Sequence, residues 1–360
     1  MAVITLRDPT SIYNSQNRLF REGVELEKGV VITEEFLERN EKFLEEELQL
    51  YTVYPDIYLD IIKPTDSQFD LFPYQRLFLR ALMRYNQIYI TATRAASKSF
   101  LSVLGLYLQC VFIPNHRCSI VAPVKTQGVK IMRQKVEEII KIWPLLEKEL
   151  EVYMGKPHMN FSKDVAELYF KNGSKFTCEG ATDSSRGLRL HSTFLDEVRD
   201  ADGDIISEVI LPQLNVSRRD VNGLVNPYEV CNQQVIAGTS AGMKSSYAYS
   251  LLIETMIQAI IDPKRAFVMG LDYRIPAQHG LVDKRHVEKL RMSSAYNEMT
   301  FASEFMGTWA GGSEESWFDF EKLFKYRTKK NPEFTQKFRN QQNCFYLLSV
   351  DKILICPFTK

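Results

Sequence analysis

Several short clusters of residues carry the groups that phosphate chemistry needs. The first is Ala92-Thr93-Arg94-Ala95-Ala96-Ser97-Lys98-Ser99, set between the β-rich run QIYITA and the helix-like run KSFLSVLGLYLQCVF. A strand, a tight turn of backbone N–H groups and a helix N-terminus together cradle phosphates. The amides of Thr93, Arg94, Ala95, Ala96 and Ser97 would supply the cradle, Lys98 would reach the β- and γ-phosphates, and the Ser99 hydroxyl would ligate Mg²⁺. The letters depart from G-x-x-x-x-G-K-[ST], because Ala92 and Ser97 stand where glycines are usual. Small side chains preserve close approach but lose easy access to positive φ. Taken alone, the same letters fit an ordinary strand, turn and helix with a solvated lysine.

The second cluster is Ser192-Thr-Phe-Leu-Asp196-Glu197. Its apolar run reads as a buried strand that delivers Asp196 at its C-terminal end, where ligands bind in open α/β sheets. Asp196 suits Mg²⁺, and Glu197 suits orienting or deprotonating an attacking water. The pair is expected on a strand adjacent to that of the loop. A third strand, QQVIA, ends in Gly238-Thr239-Ser240, small groups suited to sensing a γ-phosphate and coupling its loss to motion after Leu271. Upstream, Tyr74 and Gln75 in Phe72-Pro-Tyr-Gln75 are candidates for the adenine, Gln75 by two hydrogen bonds and Tyr74 by packing; a helix start with a surface glutamine fits equally. Arg94 and Arg186 are candidates to neutralise phosphoryl-transfer charge, and Arg186 also suits DNA or a neighbouring subunit.

These residues need a scaffold. Strand-like runs at Gln87–Ala92, Cys118–Ala122, Ser192–Asp196, Gln233–Ala237 and Ala266–Leu271 alternate with helical patterns, one over Thr126–Ile142. Alternation of this kind argues for an α/β fold, a mostly parallel central sheet flanked by helices. Leu168–Phe170 and Lys175–Cys178 flank Asn172-Gly173, a two-residue hairpin signal. Glu34–Leu50 reads as an amphipathic helix with Phe36, Leu37, Phe43, Leu44 and Leu48 on one face. The expected organisation is a helical region over 1–65, a P-loop ATPase core over 66–271, a small lid and linker subdomain over 272–340, and the start of a truncated domain over 341–360.

With 45 basic and 45 acidic residues the chain is neutral, so its bulk charge does not announce a nucleic-acid binder. The cysteines lack the spacing of a zinc or redox site, which suits reduced thiols. No basic-then-apolar leader opens the chain, and no apolar run reaches the roughly 18 residues of a membrane span. A cytoplasmic protein without membrane contact is expected.

Taken in order, Pro-Tyr-Gln75, an arginine-bearing degenerate P-loop, Ser-Arg186-Gly, a strand ending Asp196-Glu197, and Gly238-Thr-Ser240 resemble the large terminase subunit of tailed bacteriophages over roughly residues 66–351. Phe301–Phe318 looks like that family's segment between ATPase and nuclease. The resemblance implies an ATP- and Mg²⁺-dependent motor that drives double-stranded DNA into a capsid. It implies as partners a portal protein, a small terminase subunit and further copies in a homo-oligomeric ring, in the cytoplasm of an infected or lysogenic bacterial host. It also implies an RNase H-like nuclease, whose first strand and acid Tyr346–Asp351 resembles. Only nine residues follow Asp351, and two-metal cleavage needs several carboxylates, so no nuclease activity is expected of this chain by itself. Two other readings share these motifs: a helicase-like nucleic-acid ATPase, and an inactive remnant that persists as a binding protein.

Overall fold

A computed structural model describes residues 41–311, apart from 186, 220–221, 227–228 and 294–296. Arg186, Asp351 and the regions 1–40 and 312–360 lie outside the described residues.

Apolar strand runs with apolar neighbours on both sides of the pleat must be covered on both faces. The chain does this with one sheet of eight strands: β1 (Gln87–Ala92), β2 (Arg117–Ala122), β3 (Met159–Phe161), β4 (Ala166–Tyr169), β5 (Lys175–Gly180), β6 (Ser192–Asp196), β7 (Gln234–Thr239) and β8 (Ala266–Leu271). Their spatial order is β8-β1-β7-β6-β2-β5-β4-β3. From β8 to β5 all neighbours run parallel, while β4 and β3 close one edge antiparallel. Among the described residues the α-helices of eight or more residues are α1 (Glu41–Val53), α2 (Pro55–Ile62), α3 (Pro73–Arg84), α4 (Lys98–Phe112), α5 (Lys125–Ile142), α6 (Tyr247–Ile261), α7 (Lys284–Met292) and α8 (Glu298–Met306).

The expected adjacency of the loop strand and the acid strand is corrected here. β7 lies between β1 and β6, with Ile88 opposite Ile236 and Phe194 opposite that same residue. Handed crossovers fix the sense of each β-α-β unit but not which strand inserts where.

Alternation along β1 sends Ile88, Ile90 and Ala92 to one core and Tyr89 to the other. The larger core packs the sheet against α3, α4 and α5, and the smaller packs it against α6 and residues 198–211. α4 is buried on every side from Phe100 to Cys110, as an all-round apolar helix must be. α5 buries Val129, Met132, Val136 and Ile139, the alternating three-four spacing of a one-faced helix.

Two local expectations are corrected. Leu48 is half exposed whereas Glu47 is buried and accepts the Tyr51 hydroxyl at 2.6 Å, so α1 does not present Leu48 to the core. The β4–β5 loop has three residues rather than two: Phe170 pairs with Ser174, and Gly173 takes φ +83°. This is a turn closed by a bulge glycine, and the Asn172 amide donates to the Cys110 and Val111 carbonyls at the end of α4.

Candidate nucleotide site

Because β1, β6, β7 and β8 run parallel, their C-terminal ends and the loops that follow share one edge of the sheet. The loop after β1 bends sharply, with Ala95 at φ +62° and Ser97 at φ +60°. These are left-handed conformations that glycine adopts freely and that cost other residues about 1–2 kcal/mol each. The degenerate sequence therefore keeps the expected turn under strain. Ser97 is held there from α3: Gln75 Nε2 donates to Ser97 Oγ at 3.3 Å, while Gln75 Oε1 accepts the Phe72 N–H at 2.9 Å.

Lys98 and Ser99 open α4 in its first turn. Lys98 is not a solvated lysine: its side chain is 9% exposed, and Nζ lies 2.6 Å from Glu197 Oε1 and 3.7 Å from Asp196 Oδ1. To reach the acids, the lysine stem must pass over β7, and it does so at Gly238. A Cβ on that residue would stand 3.1 Å from Lys98 Cδ and 2.7 Å from Phe194 Cε2. Gly238, a coupling candidate from sequence, thus leaves room for the lysine across the intervening strand.

Glu197 directly follows β6 at φ +45°, a third strained position at the site after Ala95 and Ser97. Its Oε2 lies 3.3 Å from the Thr239 hydroxyl and 3.4 Å from the Ser240 N–H, both of which donate to it. Burial pushes its carboxyl up, but the Lys98 charge and hydrogen bond, Arg199 and the Ser240 N–H outweigh this and leave it below the usual range. Asp196 goes the other way: burial lifts it above the usual range, Lys98 offsets only part, and the Glu197 charge adds to the rise.

Asp196 Oδ1 and Thr93 Oγ1 are buried without a hydrogen-bond partner. A buried oxygen that accepts nothing is costly, and a cation fits that need. Among the described residues no cluster of three or more His, Cys, Asp or Glu gathers as a metal cage. That donor set suits Mg²⁺, which binds through one or two protein oxygens together with substrate phosphates.

Sequence reasoning missed Glu304 and Arg199. Glu304, on α8, is buried and bridges two arginines: Arg94 Nε at 2.8 Å and Arg199 Nη2 at 2.8 Å. Burial raises its carboxyl, and the two guanidinium groups bring it below the usual range. Arg199 also donates to the Ala241 carbonyl at 2.9 Å, and the Ser303 hydroxyl donates to that same oxygen. An acid inside the apolar run Phe-Ala-Ser-Glu304-Phe-Met was the available signal. The segment after Thr239 and Ser240 is tied to the end of this region, since Lys244 N–H donates to Ala310 and Ala310 N–H donates to Gly242.

No family profile matches the sequence, and no curated protein does. Solved structures do match. The HK97 bacteriophage large terminase aligns with a TM-score of 0.53 and 16% identity, over 72% of this chain and 55% of that one. A Thermus phage large terminase ATPase domain aligns with a TM-score of 0.47 and 15% identity, over 69% of this chain and 99% of that one. The chain spans about half the length of the HK97 protein. At this identity the likeness speaks for the fold alone: the described residues form a mostly parallel α/β sheet flanked by helices, similar in fold to the HK97 bacteriophage large terminase.

Proposed function

We propose that this chain hydrolyses ATP with Mg²⁺ and couples the hydrolysis to translocation of double-stranded DNA into a viral capsid. The observation that carries the reading is the meeting of Lys98 with Asp196 and Glu197 across a strand cleared by Gly238. In this reading the loop amides of 93–97 and Lys98 hold the phosphates, and Ser99 and Asp196 hold the cation. Mg²⁺, when bound, neutralises phosphate charge as it builds up. Glu197 carries its negative charge at neutral pH, as a residue that orients or deprotonates water requires. Substrate phosphates compete with Glu197 for Lys98, so nucleotide entry frees the glutamate for water. Thr239 and Ser240 touch that glutamate and continue into the segment tied to 303–310, which supports them as the coupling residues.

The DNA, portal, small-subunit and ring contacts belong to the same proposal, in the cytoplasm of a bacterial host. They rest on the family resemblance and the terminase fold. DNA would be gripped through its phosphates, since packaging must accept any sequence. Among the described residues no helix is long and apolar enough to cross a membrane. Arg186 is proposed to act on the phosphates or on a neighbour, and 341–360 to begin a nuclease-like unit that needs more acids than Asp351 to cut.

The test is steady-state ATP hydrolysis by the wild type beside Lys98→Ala and Glu197→Gln. Each variant is expected to lose at least about a hundredfold in turnover. Glu197→Gln should keep nucleotide binding, because it removes the water-directing charge and leaves the loop. Equal, negligible turnover in all three proteins would reject the ATPase and support an inert remnant.

A further inference from the structure

Two stretches of chain meet at Glu197 and are fastened to each other by an arginine that the chemistry above does not use. One is the turn Glu197-Val198-Arg199 after β6, and the other is Thr239-Ser240-Ala241 at the end of β7. Three hydrogen bonds join them. The Thr239 hydroxyl and the Ser240 N–H donate to Glu197 Oε2 at 3.3 Å and 3.4 Å, and Arg199 Nη1 donates to the Ala241 carbonyl at 2.9 Å. The first two are long, so by themselves they hold the carboxylate loosely. The third has an ordinary length and a charged donor, which makes it the strongest of the three. It grips the residue next to Ser240 and so fixes the backbone that presents the Ser240 N–H.

The arginine is itself held on every side. Its stem lies over Gly242, where a Cβ would stand 3.6 Å from Arg199 Cβ and Cδ. Nη2 meets Glu304 at 2.8 Å, and Nε lies 3.5 Å from Asp200. Each of its three nitrogens therefore has a partner in the protein, unlike an arginine poised to meet a phosphate. Ser303, on α8 like Glu304, donates its hydroxyl to the same Ala241 oxygen. Val198, between the glutamate and the arginine, is buried in the smaller core and anchors the turn. Glu197 sits at φ +45°, a conformation that persists only where the surroundings over-determine it.

Resting on the ATPase reading above, we infer that Arg199 is a positioning residue for hydrolysis: by clasping Ala241 it holds the Ser240 N–H and the Thr239 hydroxyl against Glu197, and so sets the direction in which that carboxylate meets water. A group displaced by about 1 Å from its productive place slows a reaction by up to about a hundredfold. The nucleotide's own contacts, Lys98 and the loop amides, do not pass through this clasp. Its loss should therefore appear in kcat and spare KM.

The test is steady-state ATP hydrolysis and ADP binding by the full chain, for wild type, Arg199→Met, Arg199→Lys, Glu197→Gln and the double variant Glu197→Gln/Arg199→Met. Methionine keeps a stem over Gly242 and removes the guanidinium. Arg199→Met should lower kcat about tenfold to a hundredfold and leave KM for ATP and the affinity for ADP within about threefold. Arg199→Lys restores one charged donor but not the bridge to Glu304, so its kcat should lie between those of Arg199→Met and wild type, at least about threefold from each. The double variant should be no more than about threefold slower than Glu197→Gln, because the arginine acts through that glutamate. The inference is overturned by a kcat of Arg199→Met within threefold of wild type, by a loss carried in KM, or by losses that multiply in the double variant. If Arg199→Met does not fold, Arg199→Lys decides: a wild-type kcat overturns the inference, and a slowed kcat with unchanged KM upholds it. A wild type that binds ADP and hydrolyses nothing would overturn the ATPase proposal and this inference with it, whereas turnover indifferent to Arg199 overturns this inference alone.

Discussion

Asp196 and Glu197 are neighbours in sequence, yet their surroundings drive them in opposite directions. Glu197 lies 2.6 Å from the Lys98 ammonium and accepts from Thr239 and Ser240; Asp196 is more deeply buried, and one of its oxygens accepts nothing. A carboxyl raised in the folded state holds its proton more tightly there than in the unfolded chain. Its contribution to stability is full below the unfolded value and is lost as pH rises through the folded one. Once ionised, Asp196 therefore costs stability that a bound cation offsets. The nucleotide-free Asp196→Asn protein is expected to melt no lower than wild type at pH 7, an advantage that fades on acidification, while losing Mg²⁺-dependent hydrolysis. Thermal melts at pH 7 and about pH 4, the ordinary carboxylate range, check this; a large fall in melting temperature at pH 7 would refute it. Glu197 has the opposite sign: its share of stability is present above the usual carboxylate range and is lost as pH falls through its lowered value.

Each element delivers its group by a local rule. The apolar turns of α4 bury it fully, which fixes the position of Lys98 at its first turn. The parallel register sets Asp196 opposite Gly238, and Gly238 in turn beside β1. A methyl group at position 238 would press on both Phe194 and the lysine stem. Gly238→Ala is expected to destabilise the chain by about 1–3 kcal/mol, the usual cost of overpacking. It should also slow ATP turnover by displacing Lys98 from the acids. Urea unfolding and steady-state kinetics measure the two effects; unchanged turnover would show that the lysine does not need this gap.

Across the whole molecule, a part-buried charge network centred on Asp56 joins α2 to α3. Asp56 is fully buried and accepts from Arg80 at 2.7 Å and 2.8 Å and from Arg76 at 3.3 Å, while Arg76 also reaches Asp60 at 2.6 Å. Arg80 and Arg84 lie against the Tyr54 ring as well. Asp56→Ala leaves the part-exposed Arg80 without its acid while Arg76 keeps Asp60, so it should cost about 1–3 kcal/mol in urea unfolding. A loss below about 1 kcal/mol would place the network with exposed ion pairs instead. None of this network was legible in the chain, because its partnered acids and arginines lie 16 to 24 residues apart. The sequence by itself determined the parallel strands, α4 and the chemistry at their ends, since period-two and all-round apolar patterns and the types of Lys98, Asp196 and Glu197 are local properties. Only the tertiary structure decided that β7 stands between loop and acids, that Gly238 opens the passage, and that Glu304 joins Arg94 to Arg199. Strand order and the partners of a buried charge depend on which distant segments pack together, and local spacing does not encode that.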